Sequence, residues 1–223
     1  MPATVAVVSG TLYDARLGCE LLQAAGVVSQ PYPLASSPDE QDALQYLDAG
    51  TLNGAFHDQL DTVAATGTQT AMLFCNSLSA VVDLGTVGWM SAVDVLSPLD
   101  IYRSAAADLD NVMVVTGNGQ AIVGFERTLM NDRPGRRVVG LADPALVRMI
   151  ETHDPEQAFA DSSMPEMLRL ADRLGMDGIV FACTHFTAVL PFAEKASAVP
   201  IIDVGTRLVE LTCARVGGTG PRG

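Results

Sequence analysis

The sequence is poor in lysine, in aromatic residues and in long apolar runs. Lys195 is the only lysine among 13 basic residues, and its segment is typical of an exposed helix end. Pyridoxal phosphate enzymes hold their cofactor through a lysine, so this cofactor is not expected. The chain also lacks a Gly-x-x-x-x-Gly-Lys loop, which argues against nucleotide hydrolysis. No segment reaches the roughly 18 apolar residues of a membrane-spanning helix, so a membrane is not expected as a partner.

Positive charge is scarce as well. The chain has 26 acidic and 13 basic residues, which give a formal net charge of −13 at pH 7. A surface of this charge repels phosphate backbones, so no nucleic acid partner is expected. Residues 1–4 lack the basic leader of a secretory signal and run directly into an apolar strand. This start predicts a cytoplasmic protein.

The four cysteines lie far apart, at Cys19, Cys75, Cys183 and Cys213. This spacing fits neither a disulfide framework nor a zinc site built from Cys-x-x-Cys pairs, and no metal is expected. Cys19 and Cys213 fall in helical contexts and are interpreted as buried bystanders. Cys75 and Cys183 each follow a strand-like run, which makes them the candidates for reactive thiols.

Short apolar runs rich in Val, Ile and Phe alternate with longer stretches of helical spacing. This alternation is typical of an α/β protein in which helices cover a parallel sheet. Strands are predicted over residues 5–8, 71–74, 112–115, 179–181 and 201–202. Helices are predicted over residues 15–25, 38–49, 56–65, 144–151 and 164–174.

The two halves of the chain resemble each other. Residues 5–10 resemble residues 112–117, and residues 74–77 resemble residues 182–185 at nearly the same separation. We therefore expect two similar domains, with a cysteine at a strand end in each. Ligands of open α/β sheets bind at the carboxyl ends of the strands, so both thiols are expected to face one shared cleft.

Two opposed thiols can invert a carbon centre. Removing a proton from the carbon beside a carboxylate needs a placed base, a dry site and stabilisation of the developing charge. A thiolate on one face can take this proton while a thiol on the other face returns one, without a cofactor. His185, two residues after Cys183, is a candidate to hold the thiolate or to relay its proton.

At these residues the chain resembles the aspartate/glutamate racemase superfamily, and glutamate racemases most of all. Phe-Cys-Asn-Ser-Leu-Ser-Ala at 74–80 is similar to their Cys-Asn-Thr-Ala-Ser-Ala segment, and Cys-Thr-His-Phe at 183–186 to their Cys-Thr-His-Tyr segment. The resemblance continues at residues 31–33, 115–117 and 201–205. It therefore extends over nearly the whole chain.

The resemblance implies two flavodoxin-like α/β domains related by pseudo-twofold symmetry, with the active site in the cleft between them. The domains are expected at residues 1–93 plus 204–223 and at residues 94–203, and a homodimer is expected. The implied reaction is cofactor-independent inversion of the α-carbon of a small acidic amino acid, with Cys75 and Cys183 as bases and His185 assisting. The implied substrate-binding residues are Ser9, Tyr32, Asn76, Ser77, Thr116 and Thr184.

Four positions carry open questions. Val8 stands where the family has an aspartate that assists the first cysteine, and nearby Asp14 is either its substitute or a helix-start residue. Pro33 replaces a glycine whose N–H group can contact the substrate carboxylate, and proline has no such group. Glu151 is either a residue of the cleft or a solvated acid at a helix end.

Two other function classes stay open. One is a different reaction of the superfamily on a small carboxylic acid, such as decarboxylation of a malonate-type acid or cis–trans isomerisation. The other is a non-catalytic ligand-binding or regulatory protein. The presence of both cysteines favours the racemase, because decarboxylases of the superfamily tend to keep only one.

Overall fold

A computed structural model describes residues 4–35, 37–44, 46–129 and 133–217. The chain divides into two compact units, Met1–Asp100 with Thr206–Gly223 and Ile101–Gly205. Each unit contains one four-stranded sheet, and all pairings within both sheets are parallel. The prediction of two similar parallel-sheet α/β domains is confirmed.

The first unit has the strand order β2-β1-β3-β4, the order of the first four strands of a flavodoxin-like sheet. Its strands are β1 (Thr4–Ser9), β2 (Val28–Pro33), β3 (Thr70–Leu73) and β4 (Asp94–Leu96). Its helices are α1 (Leu12–Ala24), α2 (Pro38–Leu44), α3 (Ala49–Ala65), α4 (Asn76–Val81) and α5 (Leu84–Met90). The two divisions between the units fall within α6 (Leu99–Ala105) and α12 (Val204–Val216).

The second unit repeats this plan with the strand order β6-β5-β7-β8. Its strands are β5 (Asn111–Thr116), β6 (Arg137–Ala142), β7 (Gly178–Phe181) and β8 (Ile201–Asp203). Its helices are α7 (Gly119–Leu129), α8 (Pro144–Thr152), α9 (Pro155–Asp161), α10 (Met164–Arg173) and α11 (Leu190–Ala196), and a 3₁₀ segment covers Thr184–Val189.

The apolar face of α3 forms much of one core layer in the first unit. Leu52, Phe56, Leu60 and Val63 recur at helical spacing and are all buried. They belong to the same apolar cluster as residues of β1 and β3. This periodic face explains why the segment folds as a helix against the sheet.

The five predicted strands are confirmed as β1, β3, β5, β7 and β8. The sequence did not indicate β2, β4 and β6. β2 contains Pro31 and Pro33, which are tolerated because β2 lies at the edge of its sheet. β4 has only three residues, and β6 has no fully buried position, so neither shows the apolar run of a central strand.

The single helix predicted over residues 38–49 is wrong. α2 ends at Leu44 and α3 begins at Ala49, while residue 45 lies outside the described residues. Asp48 has extended backbone angles, φ −67° and ψ 155°, and its side chain accepts a hydrogen bond from Thr51 N. An aspartate in this role starts a new helix, because it satisfies an N–H group that has no partner in the first turn.

The first division between the units lies beyond the position expected from the sequence. β4 is hydrogen-bonded to β3, so it belongs to the first sheet, and the division follows at Asp100. Residues 1–3 and 218–223, at the two ends of the predicted first domain, lie outside the described residues. Among the helices that the structure describes, none has the length and apolar character to cross a membrane.

Alanine substitutions at two glycines are expected to have opposite effects on the free energy of unfolding. A Cβ atom on Gly18, in α1, would lie 2.8 Å from Val7 Cγ1, whereas a Cβ atom on Gly54, in α3, would meet nothing within 4 Å. We expect Gly18→Ala to lower the free energy of unfolding by about 1–3 kcal/mol through overpacking. Gly54→Ala is expected to raise it by about 0.5–1 kcal/mol through helix propensity. Urea denaturation measures both, and a stabilising Gly18→Ala would contradict the close packing of α1 on the sheet.

Candidate active site

In the first unit, the ends of β1 and β3 lie side by side. Val8 pairs with Leu73 in the parallel register, and Phe74 N donates to Val8 O at 2.7 Å. Ser9 is the last residue of β1, and Cys75 follows Phe74 beyond the end of β3. The chain thus brings a hydroxyl group and a thiol to the carboxyl edge of the same sheet.

Cys75 occupies a short, buried connection between β3 and α4. Its backbone carbonyl accepts hydrogen bonds from Ser79 N at 3.2 Å and Ser79 Oγ at 2.7 Å. Its Sγ lies 3.5 Å from Ser77 Oγ. Asn76, Ser77 and Cys75 itself are all buried, so the three residues form a compact polar group around the first thiol.

Asp14 has the helix-start role that the sequence left open, and its assistance to the first cysteine stays a prediction. It lies in the first turn of α1, and its N–H group donates to Thr11 Oγ1 at 3.3 Å. Its carboxylate also accepts a hydrogen bond from Ser9 Oγ at 2.8 Å. Both Ser9 and Asp14 are buried, so this carboxylate is part of the strand end and not of the solvated surface.

Tyr32 lies on the other side of β1 from Cys75. It pairs with Val8 in the register between β1 and β2, and it is partly buried. Its hydroxyl group donates to Gln30 Oε1 at 3.4 Å. Pro33 follows as the last residue of β2 and pairs with Ser9.

The second unit places Cys183 as the first unit places Cys75. Ala182 N donates to Val115 O at 2.9 Å, the counterpart of the bond from Phe74 to Val8. The backbone angles of Cys183, φ −149° and ψ 120°, are close to those of Cys75, φ −160° and ψ 114°. Each cysteine directly precedes a helical segment. The internal repeat therefore extends to the local geometry of the two thiols.

Gly117 makes room for the second thiol. A Cβ atom at this position would lie 3.2 Å from Cys183 Sγ and 2.9 Å from Val147 Cγ2. The absence of a side chain thus lets the loop after β5 approach the thiol closely. Val147 lies on α8, one helical turn before Glu151.

His185 and Glu151 form a buried pair in the second unit. His185 Nε2 lies 2.7 Å from Glu151 Oε1, with side-chain exposures of 2% and 9%. An ionised carboxylate only accepts hydrogen bonds, so Nε2 carries a proton and the tautomer of the ring is set. Glu151 is consequently a residue of this buried group and not a solvated acid. Glu151 reaches His185 because of its position in α8.

The two remaining candidates are also buried in the second unit. Thr116, the counterpart of Ser9 at the end of β5, donates from Oγ1 to Asn118 O at 2.7 Å. Asn118 Oδ1 accepts hydrogen bonds from Gln120 N and Ala121 N at the start of α7. Thr184 begins the 3₁₀ segment after Cys183. Backbone turns at the strand ends thus fix these side chains.

The other two cysteines lie in helices, as the sequence indicated. Cys213 is fully buried in α12, and Cys19 is partly buried in α1. Burial raises the pKa of both thiols, which keeps them protonated and unreactive.

Each unit thus groups its own candidates at one sheet edge. The first unit contributes Ser9, Tyr32, Cys75, Asn76 and Ser77, and the second contributes Thr116, Cys183, Thr184 and His185. That both groups act on one substrate stays a prediction.

Comparison with known proteins identifies the fold. The chain superimposes on glutamate racemase RacE1 of Bacillus anthracis with a TM-score of 0.77 and 13% identity, covering 96% of this chain and 82% of that one. It also superimposes on aspartate racemase of Picrophilus torridus with a TM-score of 0.70 and 14% identity, covering 97% and 95%. The chain has the fold of the glutamate and aspartate racemases.

The similarity of the amino-acid sequence to racemases is weak. Glutamate racemase of Carnobacterium sp. (strain St2) is 22% identical over 143 residues, which cover 62% of this chain. The match spans only 53% of the length of that relative. No protein-family model matches the chain. The named relatives are racemases and therefore isomerases.

Proposed function

We propose that this chain is a cofactor-independent amino-acid racemase or epimerase. It inverts the α-carbon of a small amino acid by proton transfer between Cys75 and Cys183. Glutamate and aspartate, the substrates in the names of the relatives, are the first candidates. The proposal requires that both thiols act on the same substrate molecule.

The observation that carries this proposal is the match between the two thiols. Cys75 and Cys183 follow equivalent strands, have similar backbone angles and are preceded by equivalent hydrogen bonds. Both are buried, at 3% and 9% exposure. Low exposure suits the removal of a weakly acidic proton, because a water-poor site strengthens the interactions that stabilise the developing charge.

The reaction needs only the two thiols and the substrate. One cysteine, as thiolate, takes the α-proton, and the electron pair of the broken C–H bond moves toward the carboxylate as an enolate-like charge. The other cysteine, as thiol, then gives its proton to the opposite face of the carbon and becomes the thiolate. The net result is the transfer of one proton from the second cysteine to the first by way of the substrate. The reverse reaction uses the same groups in exchanged roles.

The polar groups beside the thiols are suited to bind the α-carboxylate of the substrate. Asn76 and Ser77 adjoin the first thiol, and Thr184 adjoins the second. Amide and hydroxyl donors can stabilise both the carboxylate and the charge that develops on it. The pair of His185 and Glu151 supplies an imidazole of fixed tautomer beside the segment of Cys183.

Incubation of the purified protein with single enantiomers in deuterated water tests the proposal. We expect deuterium at the α-carbon together with loss of optical rotation, both unaffected by chelator. Release of carbon dioxide or a moved double bond would instead indicate another reaction on a small carboxylic acid. No change with any small amino or dicarboxylic acid would indicate a ligand-binding protein.

A further inference from the structure

Three hydrogen-bond donors at the ends of β1 and β2 bond to other groups of the protein. Ser9 Oγ donates to Asp14 Oδ2 at 2.8 Å. Leu34 N donates to Ser9 O at 2.9 Å, and Ala35 N donates to Gly10 O at 2.8 Å. These three groups would otherwise be suited to bind an anion at the carboxyl edge of the sheet.

The end of β2 adds no donor of its own to this edge. Pro33, the partner of Ser9 in the strand register, has no N–H group. The hydroxyl group of Tyr32, one residue earlier, donates to Gln30 Oε1. Oxygen lone pairs are therefore what Ser9 and Tyr32 present to a ligand.

A carboxylate of the protein lies at this edge. The N terminus of a helix favours negative charge, and in α/β folds it is a common anion site. At α1 this position is taken by Asp14, which is buried in the first turn. The cation nearest in the sequence, Arg16, is exposed and lines a surface groove with Glu20. A ligand group at the end of β1 consequently meets the oxygen acceptor of Ser9, whose own proton is directed at Asp14.

The side chain of the substrate is the ligand group that reaches this edge. β3 pairs with both β1 and β4, and its pairing with β1 extends one residue closer to Cys75, to Leu73 rather than Met72. If the α-carbon lies beside Cys75 at the end of β3, the end of β1 is therefore the nearer of the two neighbouring strand ends. Neighbouring strands are about 4.8 Å apart, which a side chain of two or three carbons spans. Ser9 and Cys75 are enclosed to a similar degree, at 0% and 3% exposure.

We infer that the side chain of the substrate ends in a hydrogen-bond donor, an amide or an ammonium group, and not in a carboxylate. This inference rests on the proposed racemase function and departs from the substrates in the relatives' names. A second carboxylate would lie near Asp14, facing Ser9 and Pro33, which offer it no donor. An N–H donor would instead bond to Ser9 Oγ, which becomes a better acceptor because it donates its own proton to the hydrogen bond with Asp14.

Glutamine and glutamate provide the sharpest test, because they are isosteric and differ only in the terminal group. We expect the wild-type protein to exchange the α-proton of glutamine with a kcat/KM at least about tenfold above that for glutamate. Asparagine and aspartate provide a second, shorter pair. Exchange is followed by NMR in deuterated water for all four amino acids.

Two variants change the terminal-group preference in the same direction. Asp14→Asn replaces the carboxyl group by an amide that keeps an oxygen able to accept from Ser9 but can also donate to it, and it is expected to lower the preference for glutamine by about tenfold. Pro33→Gly restores an N–H group and is expected to raise kcat/KM for glutamate relative to glutamine by about threefold or more. Because Pro33 lies at a strand edge, its variant tests the inference even where Asp14→Asn does not fold.

Matched controls separate this role from general effects on the fold. Asp48→Asn removes an exposed aspartate that starts α3, and Pro31→Gly changes another proline of β2. Neither is expected to alter the ratio. A wild-type preference for glutamate overturns the inference and leaves the racemase proposal intact. An unchanged ratio of kcat/KM for glutamine to that for glutamate in both Asp14→Asn and Pro33→Gly has the same consequence. Absence of exchange with all four amino acids overturns both proposals.

Discussion

Cys75→Ser and Cys183→Ser are each expected to lower the rate of racemisation by about a thousandfold or more. The serine hydroxyl holds its proton at neutral pH, so it is a far weaker base than a thiolate, while its size changes the packing little. Racemisation is measured as loss of optical rotation from each pure enantiomer. Cys19→Ser, in a partly buried position of α1, is the matched control and is expected to keep full activity.

Isotope exchange distinguishes a two-base reaction from a one-base reaction. If one thiol removes the proton and the other returns it, a variant with a single thiol exchanges the α-proton of one enantiomer without inverting it. Cys75→Ser and Cys183→Ser are then expected to act on opposite enantiomers. Full turnover in either variant, or exchange of both enantiomers by one variant, would contradict the assignment of one thiol to each face.

Loss of the pair of His185 and Glu151 is expected to have the second largest effect. His185→Asn removes the imidazole and is expected to lower kcat by about a hundredfold, with a small change in KM. Glu151→Gln leaves the imidazole but replaces a carboxylate, which only accepts hydrogen bonds, by an amide that can also donate, so the tautomer of the ring is no longer set. Glu151 thus acts as a positioning residue through His185. Because the two side chains act as one unit, the double variant is expected to be little worse than His185→Asn.

The enantiomer dependence of exchange shows whether this pair serves Cys183. In His185→Asn, the exchange step that uses Cys183 is expected to slow, while the step that uses Cys75 continues. His153→Asn is the matched control, because His153 is exposed at the end of α8, the helix that contains Glu151, and contacts Thr152. Equal slowing of both exchange steps would indicate a general loss of structure, as would additive losses in the double variant.

The glutamine preference proposed here shows how a shared fold can carry a changed specificity. The relatives named for glutamate and aspartate share only 13–14% identity with this chain in the structural comparison. Asp14 and Pro33 both lie near the strand end of Ser9. Changes at such positions alter the terminal group that a site accepts without altering the sheet that supports it.

The placement of the two cysteines at strand ends could be predicted from the sequence. Central strands of a parallel sheet are continuous apolar runs, and their pattern does not depend on the rest of the fold. Cys75 and Cys183 follow such runs, so their placement at strand ends was predicted and is confirmed. Edge strands such as β2 were missed, because their prolines and half-exposed positions remove the apolar pattern.

The pairing of charged side chains could not be predicted in the same way. Glu151 and His185 are far apart in the sequence, and a helix-end glutamate has the same local pattern whether it is solvated or buried. Asp14 is close to Ser9 in the sequence, yet an aspartate in a first helical turn ordinarily caps the helix and faces water. Only packing against the sheet buries these carboxylates beside partners.

The sequence by itself determined the repeated α/β plan and the two strand-end cysteines, because local hydrophobic periodicity and short motifs record both. The tertiary structure decided that Glu151 contacts His185, that Asp14 accepts a hydrogen bond from Ser9, and that the N–H groups of Leu34 and Ala35 bond to the end of β1. These facts depend on distances between segments that are separate in the chain. Such distances follow from packing, which no local pattern of residues records.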